Sequence, residues 1–136
     1  MPARSKARKR ALDVLYEAEL RSAPVLDVLA EHTARSSTPY PAYATSLVHG
    51  VVEHGAQIDT LLTSYAVGWT VDRMPPVDRN VLRLGVFELL WVGDVPDGVA
   101  MSEAVALASS LSTEDSPRFV NGVLARIAAA ESRPVA

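Results

Sequence analysis

The sequence predicts an all-α domain of about seven helices, and three observations support this prediction. Apolar residues recur at helical spacing along most of the 136 residues, and no stretch alternates as a half-buried strand does. Clusters of Pro, Gly and Ser divide the chain into segments of helical length. Residues 77–92 are apolar around most of the helical circumference, so we expect other helices to surround them. The result would be an antiparallel bundle or two small bundles packed together.

The first half of the chain is predicted to hold three helical regions. Residues 5–21 form an amphipathic helix whose first two turns are basic. A short second helix begins near Pro24, and a loop rich in Ser, Thr and Pro follows at 34–41. The third region, 42–66, contains two glycines at which a helix can bend or divide. One long helix and two shorter ones both fit this pattern.

The second half is organised around the predicted central helix, 77–92. Its first turn carries Asp78, where the helix dipole favours an anion, and we expect this turn to reach the surface. In the connector that precedes it, 67–76, we expect Trp69 to fold back onto the core.

An Ala-rich helix and a final helix complete the predicted domain, which spans residues 1–136. The Ala-rich helix covers 99–111, and its small side chains permit the close approach of a neighbouring helix. The final helix starts at Pro117 with Ser116 as its N-cap. Residues 132–136 are expected to fray.

The composition excludes several classes of protein. Because the chain has no cysteine, it forms no disulfide and no thiolate-bound metal site. Its longest uncharged apolar run is far shorter than the roughly 20 residues that a transmembrane helix needs. Acidic residues also interrupt the segment that would form the hydrophobic region of a signal peptide. We therefore expect a soluble cytoplasmic protein.

The charges are distributed unevenly along the chain. The first ten residues, here called the basic arm, contain five basic side chains and no acidic one: Arg4, Lys6, Arg8, Lys9 and Arg10. The rest of the chain has eight basic and sixteen acidic residues, a balance of 8 − 16 = −8. Basic side chains on the outer turns of a helix suit a phosphate backbone, which favours a localised site for a polyanion. A solvated terminus that only aids solubility is the alternative.

No catalytic motif is present in the sequence. It lacks GxSxG, a phosphate loop ending in GKS or GKT, GxGxxG and HExxH. His49 and Glu53 are four residues apart and would share one helix face, but two ligands do not make a metal site. We therefore expect a protein that is not an enzyme and that uses no cofactor or metal.

The segment 112–124, STEDSPRFVNGVL, contains more specific features. Phe119 lies in the first turn of the final helix, where an aromatic ring is less needed for the core and can stack on a base. A core position is an equally good interpretation of its spacing. Gly122 costs about 1 kcal/mol relative to Ala inside a helix, and it would be tolerated where another backbone passes close by.

Together these segments resemble the NusB family of bacterial transcription antitermination factors. The similarity covers almost the whole chain and keeps the family's order. Its segments are KARKRALDVLYEAEL at 6–20, PPVDRNVLRLGVFELLWVGDVP at 75–96, MSEAVALA at 101–108 and EDSPRFVNGVL at 114–124. The last segment, read with the central helix, is specific, whereas a basic N-terminus alone is a weak signal. The resemblance implies an all-α fold of two packed three-helix bundles.

The resemblance also implies a function. Members of the family bind boxA RNA of ribosomal RNA operon leaders, together with the ribosomal protein NusE, in an antitermination complex on RNA polymerase. Carried onto matching positions, the RNA-binding residues are Arg4, Lys6, Arg8, Lys9, Arg10, Tyr16, Asp115 and Phe119. Asp115 would accept hydrogen bonds from base amino groups and oppose non-specific RNA binding. The partner surface would include Asp78 at the exposed start of the central helix.

The sequence departs from the family's pattern at two positions, and there are three alternative interpretations of its function. Ser102 stands where the family usually has Asn, and Pro117 stands where a polar residue is common. Neither change removes an expected RNA contact. NusB-like domains also occur as N-terminal parts of RNA cytosine methyltransferases, and under that alternative methyl transfer would require a further domain with a nucleotide-binding fold. A DNA-binding module would need a clear helix-turn-helix, which is absent. A purely structural interaction protein would not depend on the basic arm. The sequence does not decide whether the protein forms a homodimer.

Overall fold

Seven α-helices account for most of the chain in a computed structural model that describes residues 2–131. The helices are α1 (Ala3–Arg21), α2 (Val25–Arg35), α3 (Ala42–Glu53), α4 (Gly55–Tyr65), α5 (Pro76–Trp91), α6 (Asp97–Leu111) and α7 (Ser116–Ala130). A short 3-10 turn, Val71–Arg73, precedes α5, and no strand occurs within the described residues. The all-α class is therefore confirmed. The predicted fraying of 132–136 falls outside the described residues.

The helices form two packed three-helix bundles, as expected. Helices α1, α2 and α3 pack on one another, and α5, α6 and α7 do the same. Helix α4 lies against α5 and α7, while α1 and α3 also pack on α5. Helix α5 thus contacts five of the other six helices, which explains why its sequence is apolar on most sides.

The core is continuous across both bundles and includes most of α5. Val81, Leu82, Val86 and Leu89 of this helix are all within 1% of complete burial. Burying such side chains contributes roughly 1.5–3 kcal/mol each. The described part of the chain leaves no helix long and apolar enough to cross a membrane.

Two glycines allow neighbouring helices to approach α5 closely. A Cβ at Gly50 of α3 would lie 2.0 Å from the tip of the Phe87 ring, and one at Gly85 would lie 2.8 Å from Leu124. Gly122 has no such neighbour, because a Cβ there would have the Arg126 guanidinium as its nearest contact, at 3.4 Å. The expected close backbone beside Gly122 is therefore not found.

The region 42–66, for which one helix and two helices both fitted the sequence, forms two. Helix α3 ends and α4 begins around His54, whose backbone lies at φ −101° and ψ 13°. The His54 ring stacks on Trp91 of α5 at a centroid separation of 4.3 Å. A ring from the junction between the two helices thus packs onto the end of the central helix.

Two expectations about the second half are wrong. Helix α7 begins at Ser116, so Asp115 and not Ser116 occupies the N-cap position, and no side-chain cap hydrogen bond is formed. The Ser116 hydroxyl instead donates to Asp78 at 2.9 Å. Trp69 does not return to the core, because 50% of its surface is exposed. Its ring meets Phe119 at the surface instead.

Candidate nucleic-acid interface

The first part of the candidate interface is a groove between α1 and the start of α5. Lys9, Tyr16, Val77 and Leu111 line this groove, which has a volume of about 210 Å³. The Lys9 ammonium pairs with Asp13 at 2.7 Å, and about 40% of each side chain is exposed. Such an exposed pair contributes only about 0.2–1 kcal/mol, so a phosphate can replace Asp13 as the partner of Lys9.

The second part is a cleft beside the first turn of α7, with a volume of about 250 Å³. It is lined by Trp69, Pro75, Asp78, Thr113, Asp115, Ser116 and Phe119. Val77 of the groove and Asp78 of the cleft are consecutive residues, so both depressions reach the first turn of α5. The fold therefore brings residues from both ends of the chain to one region of the surface.

Phe119 both contacts the core and lines the cleft. The ring is partly buried and packs against the hydrophobic core. It also lines the cleft and meets Trp69 edge-on, with centroids 6.5 Å apart and planes at 61°. A base could therefore contact a ring whose position is fixed by the core.

Asp115 is placed to accept hydrogen bonds from a ligand. The residue is exposed at the N-cap position of α7, with φ −84° and ψ −11°, and its carboxylate does not cap the helix. Among the described residues, none donates a hydrogen bond or forms an ion pair with this carboxylate. Its acceptor capacity is therefore available to a bound group.

Arg8 does not lie on the surface, which corrects the expectation of a direct phosphate contact. The residue is 4% exposed, and its guanidinium donates to Glu88 at 2.8 and 3.0 Å and to Glu103 at 2.8 Å. The Tyr43 hydroxyl donates to the same Glu88 carboxylate. Burial and this hydrogen bond raise the pKa of Tyr43, which keeps the hydroxyl protonated. Arg8 therefore holds α1 against α5 and α6.

The other four cations of the basic arm remain accessible to different degrees. Arg4 pairs with Asp94 at 3.0 Å and lies over the Tyr43 ring at 4.3 Å. Arg10 lies over the Tyr40 ring at 4.7 Å. Lys6 is exposed and forms no ion pair within residues 2–131. These surface contacts are weak enough for a polyanion to displace.

Asp78 is buried, so the expectation that the first turn of α5 exposes it is wrong. Asp78 is only 3% exposed, and its carboxylate accepts hydrogen bonds from Ser112 and from Ser116. The Thr113 amide in turn donates to the Ser116 hydroxyl at 3.2 Å. Asp78 thus fixes the connection between α6 and α7 onto α5.

Two residues of this region do not emerge from the sequence as candidates. Trp69 is expected in the core, and no local pattern distinguishes an apolar ring that faces solvent from one that is buried. Arg118 is exposed beside Phe119 and has no ion pair among the described residues. A basic residue adjacent to a candidate stacking ring is a signal that could have identified Arg118.

The described residues contain no group of three or more His, Asp or Glu side chains arranged to hold a metal ion. His49 and Glu53 gain no third ligand from a neighbouring helix within residues 2–131. The chemistry of the region is therefore that of cations, aromatic rings and one free carboxylate, a combination suited to binding a nucleic acid.

The sequence is similar to known proteins over nearly its whole length. A sequence model described as the NusB family matches residues 5–129. The transcription antitermination protein NusB of Acidothermus cellulolyticus is 62% identical over 129 residues, which cover 95% of this chain and 89% of that protein. NusB of Salinispora arenicola is 57% identical over 131 residues, covering 94% and 96%.

Solved structures show the same fold. A structure described as T. maritima NusB superposes with a TM-score of 0.85 at 35% identity, covering 98% of this chain and 94% of that one. Another, described as antitermination factors NusB and NusE in complex with dsRNA, superposes with a TM-score of 0.83 at 31% identity, covering 94% and 97%.

Proposed function

Since this chain belongs to the NusB family, we propose that it is a transcription antitermination factor that binds boxA-type single-stranded RNA together with the ribosomal protein NusE. The RNA would come from ribosomal RNA operon leaders, and the complex would act on RNA polymerase in the cytoplasm. The protein works by binding and catalyses no reaction. It exists as a monomer or as a homodimer that hides its RNA surface.

One observation supports the RNA-binding role above all others. The groove with Lys9 and Tyr16 and the cleft with Asp115 and Phe119 both reach the first turn of α5, although more than 90 residues separate these pairs in sequence. Cations for phosphates, rings for bases and a carboxylate for base amino groups therefore occur together.

The cations divide their roles in this proposal. Lys6 and Lys9 contact phosphates directly, and Arg4 and Arg10 exchange their aromatic and carboxylate partners for RNA. Arg8 contributes indirectly, because its buried pair with Glu88 orients the helix that carries the others. The acidic remainder of the chain disfavours loose RNA binding elsewhere.

Because Asp78 is buried, it contributes to the proposed NusE surface indirectly, by holding neighbouring segments in place. Its carboxylate joins the start of α5 to the connection between α6 and α7, so a partner on this surface would meet one rigid unit. The RNA cleft uses the same unit, so NusE and RNA would bind close together, and contacts between them in a ternary complex would strengthen both binding events.

The test is a titration of boxA-like and scrambled single-stranded RNA, duplex RNA and duplex DNA across a salt series. Four accessible cations predict a log–log slope of about −2.8, from about −0.7 per phosphate contact on single strands. A fifth contact from Arg8 would give about −3.5. Replacing Arg4, Lys6, Lys9 and Arg10 by Gln should flatten the slope, whereas Arg35→Gln on α2 is the control and should change it little.

The outcomes separate the alternative functions. Preference for boxA-like RNA supports the proposal, and adding purified NusE should then increase affinity. Equal affinity for duplex DNA would indicate a DNA-binding module instead. If the protein binds no nucleic acid although sizing experiments show a monomer, its function would depend on contacts with other proteins alone.

A further inference from the structure

We propose that Trp69 and Phe119 form the two walls of a site for a single unstacked RNA base, whose amino group donates a hydrogen bond to Asp115. This inference rests on the proposed RNA-binding function and deepens it. It assigns a base-binding role to Trp69, a residue of the connector before α5.

The two rings form a corner. Their centroids are 6.5 Å apart and their planes are inclined at 61°. A base stacked on one ring would therefore meet the second ring with its edge, and both arrangements are favoured contacts between aromatic systems. A single ring offers only one of these contacts, so the corner fixes the orientation of a base as well as its position.

The exposure of the two rings differs in a way that fits this role. Phe119 is partly buried and anchored on the core, whereas Trp69 keeps 50% of its surface exposed. The second tryptophan of the chain, Trp91, stacks on His54 and Phe87. Trp69 keeps apolar ring surface exposed to water. A bound base would cover this surface, and the burial of apolar surface is favourable.

The size and polarity of the cleft favour a base over a larger ligand. Its volume of about 250 Å³ is below the roughly 300–1,000 Å³ of sites for drug-sized molecules. Asp115 at the rim of the cleft has a free carboxylate, which repels phosphate and accepts hydrogen bonds. The phosphates would therefore lie outside the cleft, where Arg118 is exposed.

The carboxylate also determines which bases fit. Adenine, cytosine and guanine carry amino groups that can donate to Asp115. Uracil has no amino group, and carbonyl oxygens flank its single ring N–H on both sides. The site should therefore prefer an amino-bearing base to uracil.

The experiment follows the fluorescence of Trp69 during RNA binding. Trp91→Phe leaves Trp69 as the only tryptophan of the chain. Titration of this variant with a boxA-like single-stranded RNA should quench the emission in parallel with binding measured by anisotropy. An abasic scan, in which one base at a time is removed from the RNA, then identifies the nucleotide whose loss abolishes the quenching.

Substitutions test the energetic contribution. Trp69→Ala should weaken binding about five- to 150-fold, the range expected for one base stacked on an aromatic side chain. Trp69→Phe should restore most of the affinity. Val67→Ala, in the same connector and with 76% of its surface exposed, is the matched control and should change affinity less than twofold. Far-ultraviolet circular dichroism and thermal unfolding verify that each variant folds.

Non-additivity identifies the base as the occupant. At the nucleotide found by the abasic scan, removing the base should weaken binding less in Trp69→Ala than in wild type, because the contribution of Trp69 is already absent while Phe119 and Asp115 still contact the base. Replacing that base by uracil should also weaken wild-type binding, and this difference should disappear in Asp115→Ala.

The possible results distinguish the inference from the function on which it rests. RNA binding without quenching, with Trp69→Ala within twofold of wild type, would overturn the base site and leave the proposed function intact. A loss of NusE binding but not of RNA binding in Trp69→Ala would also overturn it, because the ring would then belong to the protein partner. No RNA binding by the wild-type protein would reject both proposals.

Discussion

The hydroxyl of Ser116 donates a hydrogen bond to the carboxylate of Asp78 at 2.9 Å, joining the first residue of α7 to the first turn of α5. Ser112 donates to the same carboxylate. Both Asp78 and Ser116 are buried, so their polar groups depend on each other in place of water. The corner that carries Asp115 and Phe119 is thereby attached to the central helix.

Asp78→Ala should lower the free energy of unfolding by about 1–3 kcal/mol, because it leaves two serine hydroxyls without their acceptor. Urea unfolding measures the change. Asp27→Ala is the control, since Asp27 is an exposed acid in the first turn of α2 and should contribute less than about 1 kcal/mol through the helix dipole alone. Equal losses in the two variants would contradict a structural role for the hydrogen bonds.

Arg8→Met should destabilise the protein by about 3–5 kcal/mol, because it removes the guanidinium that compensates the charge of the buried Glu88 carboxylate. The double variant with Glu88→Leu should recover much of this loss, since neither charge then remains buried. Chemical denaturation of the four proteins gives the coupling energy. The control is Lys6→Met on the exposed face of α1, which should change stability by less than about 0.5 kcal/mol. Additive losses in the double variant would show that the pair is not coupled.

Gly50→Ala should destabilise the protein by about 1–3 kcal/mol, because the new methyl group would overlap the tip of the Phe87 ring. Gly55→Ala provides the contrast, since a Cβ there meets nothing within 4 Å and should be neutral or stabilising. Thermal unfolding compares the two. Phe87→Leu should rescue Gly50→Ala by shortening the opposing side chain, and a failure to rescue would place the strain elsewhere.

Stability should depend on pH through Glu19, which accepts a hydrogen bond from the Arg79 guanidinium at 2.9 Å. Arg79 lowers the pKa of Glu19 below its ordinary value against the opposing effect of burial. The unfolded state therefore binds this proton more readily, so the contribution is present above a pH of about 4.5 and is lost as pH falls through the lowered pKa.

Glu19→Gln should accordingly cost about 1–2 kcal/mol at pH 7 and converge with wild type in strong acid. Urea unfolding at several pH values measures the difference. Glu53→Gln removes an exposed carboxylate on α3 and should leave the profile unchanged. A Glu19 effect that persists undiminished at low pH would indicate packing and not charge as its cause.

The sequence by itself determined most of the helices, their order and the central position of α5, but not the division of 42–66 into two helices. That information lies in the local spacing of apolar residues and in the residues that bound a helix, such as Pro75 before α5 and Gly93 after it. It also identified the family and the segments expected to bind RNA, because these depend on short stretches such as 114–124.

Only the tertiary structure decided which polar and aromatic side chains face solvent. Arg8 and Asp78 sit in a basic arm and in a helix start, both of which suggest exposure, yet each is buried against partners 34 to 95 residues away. The sequence predicts that Trp69 lies in the core, but its ring lies at the surface beside Phe119, a residue 50 positions further along the chain. Periodicity along one helix assigns its inward face. Whether a charge or a ring finds a partner depends on what another part of the chain places opposite it, and that information is not local.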